Sequence, residues 1–237
     1  MKKFFYTTIV LLSVFALSTW ADDDYPTISP TATFITDEGE SVETSYSGSA
    51  PLQARFEANP SNVGSWTAHY EWRFTKDAAE EPYLIRYEEN TDFTFTEAGS
   101  HRIVLYAVFT QAGDTVAYTE DYWNETGPIS VSISESKLEM PNAFSPNGDG
   151  INDVYKAKTG YQSIVEFHAT IYNRWGQRLY EWDDPAGGWD GKYNGKEVKQ
   201  GVYFVQVKAT GADGRKFNIK KDVNLLRGYT EGSNYNQ

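Results

Sequence analysis

The sequence predicts an all-β protein made of two β-sandwich domains in tandem. Aromatic residues make up 16% of the 237 residues, and aromatic side chains suit the half-buried surface of a sheet. Apolar residues recur mostly at every second position, as they do in strands, and no stretch keeps a helical period. Clusters of Gly, Pro, Asn and Asp separate these runs at short intervals, a spacing that is typical of sandwiches.

The N-terminus is typical of a secretory signal peptide, residues 1–21. Two lysines precede an apolar run at residues 4–17, which is too short to span a bilayer as a helix. Thr19 and Ala21 stand where signal peptidases require small residues, so we expect cleavage between Ala21 and Asp22. The protein is therefore expected to be exported through the periplasm to the cell surface or the extracellular space.

Charge divides the remaining chain into two parts. Residues 22–136 contain 21 acidic and 5 basic residues, a net charge of −16, whereas residues 137–237 contain 12 acidic and 14 basic residues, a net charge of +2. A step of this size indicates two domains, residues 22–136 and 137–227, followed by a polar tail at residues 228–237. The acidic part would repel phosphates and the second part has no basic stripe, so nucleic-acid binding is excluded.

Strand-like segments fill the first domain, at residues 52–58, 68–74, 93–110, 114–123 and 129–136. Three of its pieces, SAPLQARFEANP, YEWRF and FTEAGSHRIVLYAV, resemble the polycystic-kidney-disease-type domain. That family usually has a Gly-Asp-Gly turn where this chain has RFTKDAAEEP. The resemblance implies an immunoglobulin-like sandwich with Trp72 in its core, acting as a spacer or a weak interaction module.

The second domain shows the same alternating pattern in three segments, residues 169–182, 201–210 and 216–227. Turn sequences lie within or between them: NRWG at 173–176, YNGK at 193–196 and GADG at 211–214. The Asn-Gly pair of YNGK is the signal of a tight hairpin. A second sandwich is therefore predicted.

The segment PNAFSPNGDGIND, residues 141–153, is the densest turn sequence in the chain. A phosphate loop would open a helix and carry a Gly-Lys pair, whereas a strand-like INDVY follows here. A calcium loop would take Asn147, Asp149 and Asp153 as oxygen ligands, but the set lacks the first-position acid and the bidentate Glu of an EF-hand. No metal site or cofactor is therefore predicted; calcium is kept as an alternative to a tight turn with Asx-type caps.

Four motifs together carry a resemblance: PNAFSPNGDGIND, IYNRWGQRLYE (171–181), GGWDGKYNGK (187–196) and GVYFVQV (201–207). In this order and spacing they resemble the gliding motility-associated C-terminal domain of Bacteroidetes, the type B sorting domain of type IX secretion. The resemblance implies an immunoglobulin-like sandwich that directs a cargo across the outer membrane, with the type IX secretion machinery as its partner. The residues expected to form the sorting motif are Pro141, Asn142, Phe144, Ser145, Pro146, Asn147, Gly148, Asp149, Gly150, Asn152, Asp153, Asn173, Arg174, Trp175, Gly176, Trp189, Asp190 and Gly191.

The sequence predicts no enzyme. Cysteine is absent, and no Gly-x-Ser-x-Gly elbow or His-Glu-x-x-His helix occurs. The three histidines, His69, His101 and His168, are scattered and adjoin strands or turns. Carboxylate pairs are uninformative because the chain has 33 acidic residues.

The alternative hypothesis is a surface adhesin module that binds a glycan or another surface protein. Exposed aromatic side chains of the first domain could stack on sugars, and the candidates are Tyr83, Tyr87, Tyr118, Tyr122 and Trp123. Their assignment to the core or to a sheet edge is the competing interpretation. Burial of Trp123 would count against a binding platform.

Overall fold

The computed structural model describes residues 25–76 and 79–228, and it confirms the all-β prediction with 54% strand and 3% helix. The architecture is that of immunoglobulin-like β-sandwiches. The expected cleavage site, Ala21 and Asp22, lies outside the described residues. So does the expected polar tail beyond Gly228.

The first sandwich extends from Thr31 to Ile133. Its elements are β1 Thr31–Thr36, β2 Gly39–Val42, β3 Ser45–Gly48, β4 Leu52–Glu57, β5 Thr67–Lys76, β6 Leu84–Arg86, β7 Asn90–Phe95, β8 Gly99–Gln111, β9 Asp114–Tyr118, α1 Glu120–Thr126 and β10 Ile129–Ile133. One sheet has the order β2-β1-β4-β7, and the other has the order β3-β10-β8-β5-β6. Strand β9 pairs with β8 beyond the end of β10, so β10 and β9 lie one after the other along the same edge of the long strand β8.

Aromatic side chains fill the space between these two sheets. Trp72 is fully buried, which confirms its predicted place in the core, and its indole ring lies 5.7 Å from the ring of Phe56. Phe56 also contacts Phe74 and Phe95 edge-on, at 5.4 and 6.4 Å. The alternation in β5 explains this packing because every second residue of the strand points inwards.

Two sequence predictions were wrong in detail. The segment 114–123 was expected to be one strand, but β9 ends at Tyr118 and the short helix α1 follows. Trp123 is the buried residue of this helix, and its Nε1 donates to the carbonyl of Leu105 at 2.7 Å. The segment INDVY was expected to be strand-like, yet it forms only an isolated bridge between Tyr155 and Trp189.

The second sandwich is centred on a five-stranded sheet with the order β11-β17-β16-β12-β13. Its elements are β11 Ala143–Phe144, β12 Ile164–Tyr172, β13 Arg178–Trp182, β14 Lys192–Tyr193, β15 Lys196–Glu197, β16 Gly201–Gly211 and β17 Lys216–Leu225. The opposite layer consists of the β14–β15 hairpin and of loops that contribute Leu138, Met140, Tyr155 and Trp189 to the core. The three predicted hairpin turns are all present.

The buried apolar residues form two separate clusters. One contains residues from Ile28 to Ile133 and the other contains residues from Leu138 to Leu225. The gap between the clusters coincides with the step in charge. The division at residues 136 and 137 into separately folding domains stays a prediction.

Candidate functional site

Asp153 organises the SPNGDGIND loop from within. One carboxylate oxygen, Oδ1, accepts the backbone N–H groups of Asn147 and Gly148 at 2.9 and 2.7 Å, and Oδ2 accepts that of Gly150 at 2.8 Å. These bonds hold the pKa of the Asp153 carboxyl below its ordinary value, since the N–H groups of Gly148 and Gly150 favour the ionised form. The carboxylate therefore acts as the internal cap of the loop.

Asp149 and Asn147 form a second, outer set of bonds in the same loop. Asp149 accepts the backbone N–H of Ile151 at 2.8 Å and the side-chain amide of Asn147 at 2.9 Å. Asn147 in turn accepts the N–H of Asp149 at 3.0 Å. These are Asx-type turns, as the sequence predicted.

The calcium alternative stays a prediction, and in this structure the candidate ligand oxygens are engaged in hydrogen bonds. Both oxygens of Asp153 face N–H donors, and a cation placed there would meet their positive ends. Among residues 25–76 and 79–228, no group of three or more His, Cys, Asp or Glu side chains could hold a metal ion. Asn147, Asp149 and Asp153 are thus brought together, and their oxygens accept hydrogen bonds from backbone N–H groups and, at Asp149, from the side-chain amide of Asn147.

The two glycines of the loop adopt backbone angles that other residues avoid. Gly148 has a φ of 84° and Gly150 a φ of 85°, both in the left-handed region that costs little only for glycine. A Cβ at either position would meet no atom within 4 Å. The requirement for glycine is therefore one of backbone conformation and not of space.

Trp189, Asp190 and Gly191 pack beneath this loop. The Trp189 ring lies 5.3 Å from that of Phe144, and its Nε1 donates to the carbonyl of Lys192 at 2.8 Å. A Cβ on Gly191 would come within 3.1 Å of the Pro146 ring. Asp190 caps the next turn by accepting the N–H of Lys192 at 3.0 Å.

Arg227 joins the separate loops, a role that no local sequence pattern indicates. Its guanidinium donates to the carbonyls of Pro146, Gly191 and Val198 at 3.1, 3.0 and 3.3 Å. It also lies 3.4 Å from the carboxylate of Glu197. A planar guanidinium can hold several acceptors at once in fixed directions, so Arg227 fastens three loops to the end of β17.

The hairpin NRWGQ adjoins these loops. The Asn173 side chain accepts the N–H groups of Trp175 and Gln177, both at 3.0 Å. Gln177 donates to the hydroxyl of Tyr193 in the β14–β15 hairpin at 3.1 Å. Gly176 has a φ of 80°, in agreement with its predicted role in the turn.

Strand register places these motifs at one end of the five-stranded sheet, which we call the motif end. Tyr172 at the end of β12 pairs with Phe204 near the start of β16, and Gly201 pairs with Leu225 at the end of β17. The hairpin after β12, the loop after β11 and Arg227 therefore meet there. The other end of the sheet, where Ile164 pairs with Gly211, faces the first sandwich.

The remaining predicted residues mostly support the loop from beneath. Phe144 and Ser145 are buried, and the Ser145 N–H donates to the Asn152 carbonyl at 2.8 Å. The carbonyls of Pro141 and Asn142 accept from the Tyr155 hydroxyl and the Asn224 N–H, at 3.0 and 2.9 Å.

The proposed sugar-stacking residues of the first sandwich do not form a flat platform. Trp123 is buried. The rings of Tyr118 and Tyr122 stand at 88° to each other, as do those of Tyr122 and Trp123. Tyr83 is committed to a hydrogen bond with His101 at 3.0 Å, and burial raises the pKa of its hydroxyl. Tyr87 is exposed, and the nearest ring that it contacts is His69.

No helix in the described part of the chain is long and apolar enough to cross a membrane.

Comparisons with known proteins found distant similarities among solved structures and one family match. Among solved structures, the chain is similar to dimeric latent PorU from Porphyromonas gingivalis, with 12% identity and a TM-score of 0.27 over 87% of this chain and 20% of that one. It is also similar to the two immunoglobulin domains of DIP-gamma, with 8% identity and a TM-score of 0.24 over 88% of this chain and 100% of that one. The chain thus spans about a fifth of the PorU chain, and TM-scores this low carry no argument about function.

No curated protein matches the chain. A family model does match its second part: residues 138–221 correspond to the CHU_C Type IX secretion signal domain. The SPNGDGIND loop, the NRWGQ hairpin and the Trp189–Gly191 segment all lie within the matched residues, whereas Arg227 lies just beyond them. Residues 138–221 of the second sandwich thus match the type IX secretion signal domain, and the motif loops within the match converge at one end of the sheet.

Proposed function

We propose that the motif end of the second sandwich is the address that the type IX secretion machinery reads, and that the first sandwich is its passenger. The main support for this proposal is that motifs far apart in the family-matched segment meet at one end of the sheet, where Arg227 holds three loops together. Internally bonded loops lose little conformational freedom when a partner binds. The motif end is therefore suited to recognition in the folded state.

The first sandwich then serves as a polycystic-kidney-disease-type spacer or interaction module at the cell surface or in the medium. Its aromatic residues are mainly used in its own core, and it contributes the acidic surface of the exported protein. Export begins with the signal peptide at residues 1–21, and the chain passes through the periplasm on its way out. No catalytic role is assigned to either sandwich.

A reporter fusion tests this function. Residues 137–237 are joined to a neutral periplasmic reporter behind a signal peptide, in a host with an active type IX system. The reporter is expected at the surface or in the medium, and it should stay in the periplasm when the host lacks the secretion machinery. If deletion of residues 137–237 leaves export of the rest of the protein unchanged, the second sandwich is not an address.

A further inference from the structure

We propose that Trp175 is the anchor of a docking surface at the motif end, and that its partner is a protein with an apolar pocket bordered by carboxylates. This inference rests on the proposed function, because it places that protein in the secretion machinery. It goes further by naming the contact residue and the chemistry of the partner surface.

Exposed apolar side chains of the second sandwich are concentrated at this end. Within the described residues, six large apolar side chains of this sandwich are exposed: Ile151, Val154, Trp175, Tyr180, Val202 and Phe204. Ile151 and Trp175 lie in the motif loops, Val154 directly follows the SPNGDGIND loop, Val202 and Phe204 lie near the start of β16, and Tyr180 lies in the middle of β13. None lies at the end that faces the first sandwich. Clustered apolar exposure marks an interaction surface, whereas scattered exposure does not.

Trp175 is the most exposed of these side chains, at 76% of its surface. It stands at the tip of a hairpin whose backbone is fixed by the Asn173 side chain. The guanidinium of Arg174 lies 4.3 Å from the centre of its ring. A large aromatic side chain presented on a rigid turn is typical of the residues that dominate binding energy at interfaces.

A shallow groove continues the surface along the outer face of the sheet. It has a volume of about 350 Å³ and is lined by Tyr172 of β12, by residues 204–206 of β16 and by residues 220–222 of β17. Val202, 49% exposed, lies on the same strand face as Phe204. The groove can therefore receive apolar side chains of the partner beside the Trp175 anchor.

The charged residues around the anchor and the groove indicate which charge the partner's surface should have. Arg174, beside the anchor, and Lys220, in the wall of the groove, have no carboxylate within 4 Å among residues 25–76 and 79–228. Lys221 also lines the groove, but its Nζ donates to the Met140 carbonyl at 2.9 Å. Asp222 is the one acidic residue of the groove lining, and Arg174 and Lys220 are the cations left to meet the partner. Carboxylates around the pocket of the partner would pair with these cations and speed the encounter.

The test uses the full chain and its variants, with export measured in a host with an active type IX system. Trp175→Ala should leave the melting temperature unchanged, because the side chain is exposed, yet the protein should accumulate in the periplasm. Trp175→Phe keeps an aromatic anchor and should restore most of the export. The matched control is Tyr87→Ala, which removes an aromatic side chain 62% exposed on the first sandwich and should leave export as in the parent.

Binding is measured with purified full chain and sheared outer-membrane fragments, in which both membrane faces are accessible. Fragments from the secretion-competent host should bind the parent protein at least about tenfold more tightly than Trp175→Ala, the effect expected for a dominant anchor. Arg174→Glu should weaken binding as well, and added salt should weaken binding of the parent. Equal binding to fragments that lack the secretion machinery would overturn the assignment to a protein partner and indicate the lipid instead.

The outcomes separate the two proposals. If Trp175→Ala is exported and binds like the parent, while deletion of residues 137–237 stops export, the docking surface is wrong and the address stands. If the deletion leaves export intact, the address itself is wrong, and the docking surface fails with it. Should Trp175→Ala fold poorly, Arg174→Glu carries the same test, and normal export and binding of that variant would overturn the proposal.

Discussion

At the scale of single residues, Asp153 stabilises the SPNGDGIND loop more than Asp149 does, although the two carboxylates look equivalent in the sequence motif. Asp153 accepts three backbone N–H groups from across the loop, whereas Asp149 accepts one backbone N–H and one side-chain amide. We expect Asp153→Ala to lower the melting temperature more than Asp149→Ala. Hydrogen exchange should show faster exchange at the amides of Gly148 and Gly150 in the first variant only. Equal losses in both variants would contradict this ranking.

The same carboxylate makes the loop sensitive to acid. Because backbone N–H groups lower the pKa of Asp153 in the folded state, its stabilising effect is fully present above the ordinary Asp value of about 3.9. That effect is lost as the pH falls through the lower pKa of the folded state. The melting temperature of the parent should therefore exceed that of Asp153→Asn at neutral pH, and the difference should shrink in acid. A difference that stays constant down to the acid limit would show that the pKa is not lowered.

Glycines of the motif end divide into two kinds. Gly150 needs only a left-handed backbone, so Gly150→Ala should cost about 1 kcal/mol in the free energy of unfolding. Gly191 has a φ of 77° as well, and a Cβ there would also press on Leu225 and Pro146 at 3.1 Å. Gly191→Ala should therefore cost more than Gly150→Ala in chemical denaturation. Equal costs would show that the packing around Gly191 yields freely.

The sequence could predict the glycine requirement but not the difference between the two aspartates. Gly-rich turn chemistry is local, so the spacing in SPNGDGIND is sufficient to predict positive φ at Gly150. The role of Arg227 depends on carbonyls more than 25 residues away in the chain, including that of Pro146. No local pattern encodes such a contact, which is why the central residue of the motif end was missed. Gly188 was missed for the same reason, since a Cβ there would collide with the carbonyl of Tyr155.

At the scale of elements, two buried tryptophans of the second sandwich offer a matched comparison. Trp189 donates its Nε1 hydrogen to the Lys192 carbonyl at 2.8 Å, whereas the buried Nε1 of Trp182 has no partner within the described structure. Both variants, Trp189→Phe and Trp182→Phe, lose a similar ring volume. Only Trp189→Phe also loses a hydrogen bond, so it should cost about 1 kcal/mol more in the free energy of unfolding. Equal costs would indicate that the bond to Lys192 contributes nothing.

Arg227 tests whether the loops act as one surface. Arg227→Ala leaves the carbonyls of Pro146, Gly191 and Val198 without their shared donor. Arg227→Lys replaces the planar guanidinium, which has several N–H donors, with a single ammonium group. Both variants should loosen the SPNGDGIND loop, as measured by hydrogen exchange, and should reduce export of the full chain. Arg178→Ala is the control, because Arg178 is exposed and, within the described residues, its ion pair is with Glu181 alone. Loosening without any loss of export would show that the loops are recognised separately.

The prediction of elements from the sequence was most reliable where strands are long and alternate cleanly. Strands β5, β16 and β17 lie close to their expected positions because exposed residues alternate in each with buried or half-buried ones. The short strands β2 and β3 lie at sheet edges and are mostly exposed, so their hydrophobic pattern is weak and neither was predicted. Helix α1 was missed because its seven residues bury one side chain, too few to show a helical period.

At the scale of the whole molecule, hydrogen bonds join the two sandwiches. Buried Ser163 accepts the backbone N–H of Ala50 at 3.1 Å and lies 2.9 Å from the hydroxyl of Ser134. The N–H of Ala98 donates to the carbonyl of Ala212 at 3.0 Å. The two sandwiches are therefore in direct contact, which could not be predicted from the sequence because a step in charge indicates a boundary and not what crosses it.

Each sandwich should nevertheless fold alone, because each has its own buried cluster. We expect the fragments 22–136 and 137–237 to unfold cooperatively in calorimetry, each at a lower temperature than in the full chain, since separation removes the bonds to Ser163 and Ala212. In the full chain these bonds should bring the two transitions closer together. Ser163→Ala should move them apart, because it removes the acceptor of the Ala50 N–H while leaving both clusters intact. Fragments that show no cooperative transition would mean that the two clusters form one folding unit, and the predicted boundary would then be wrong.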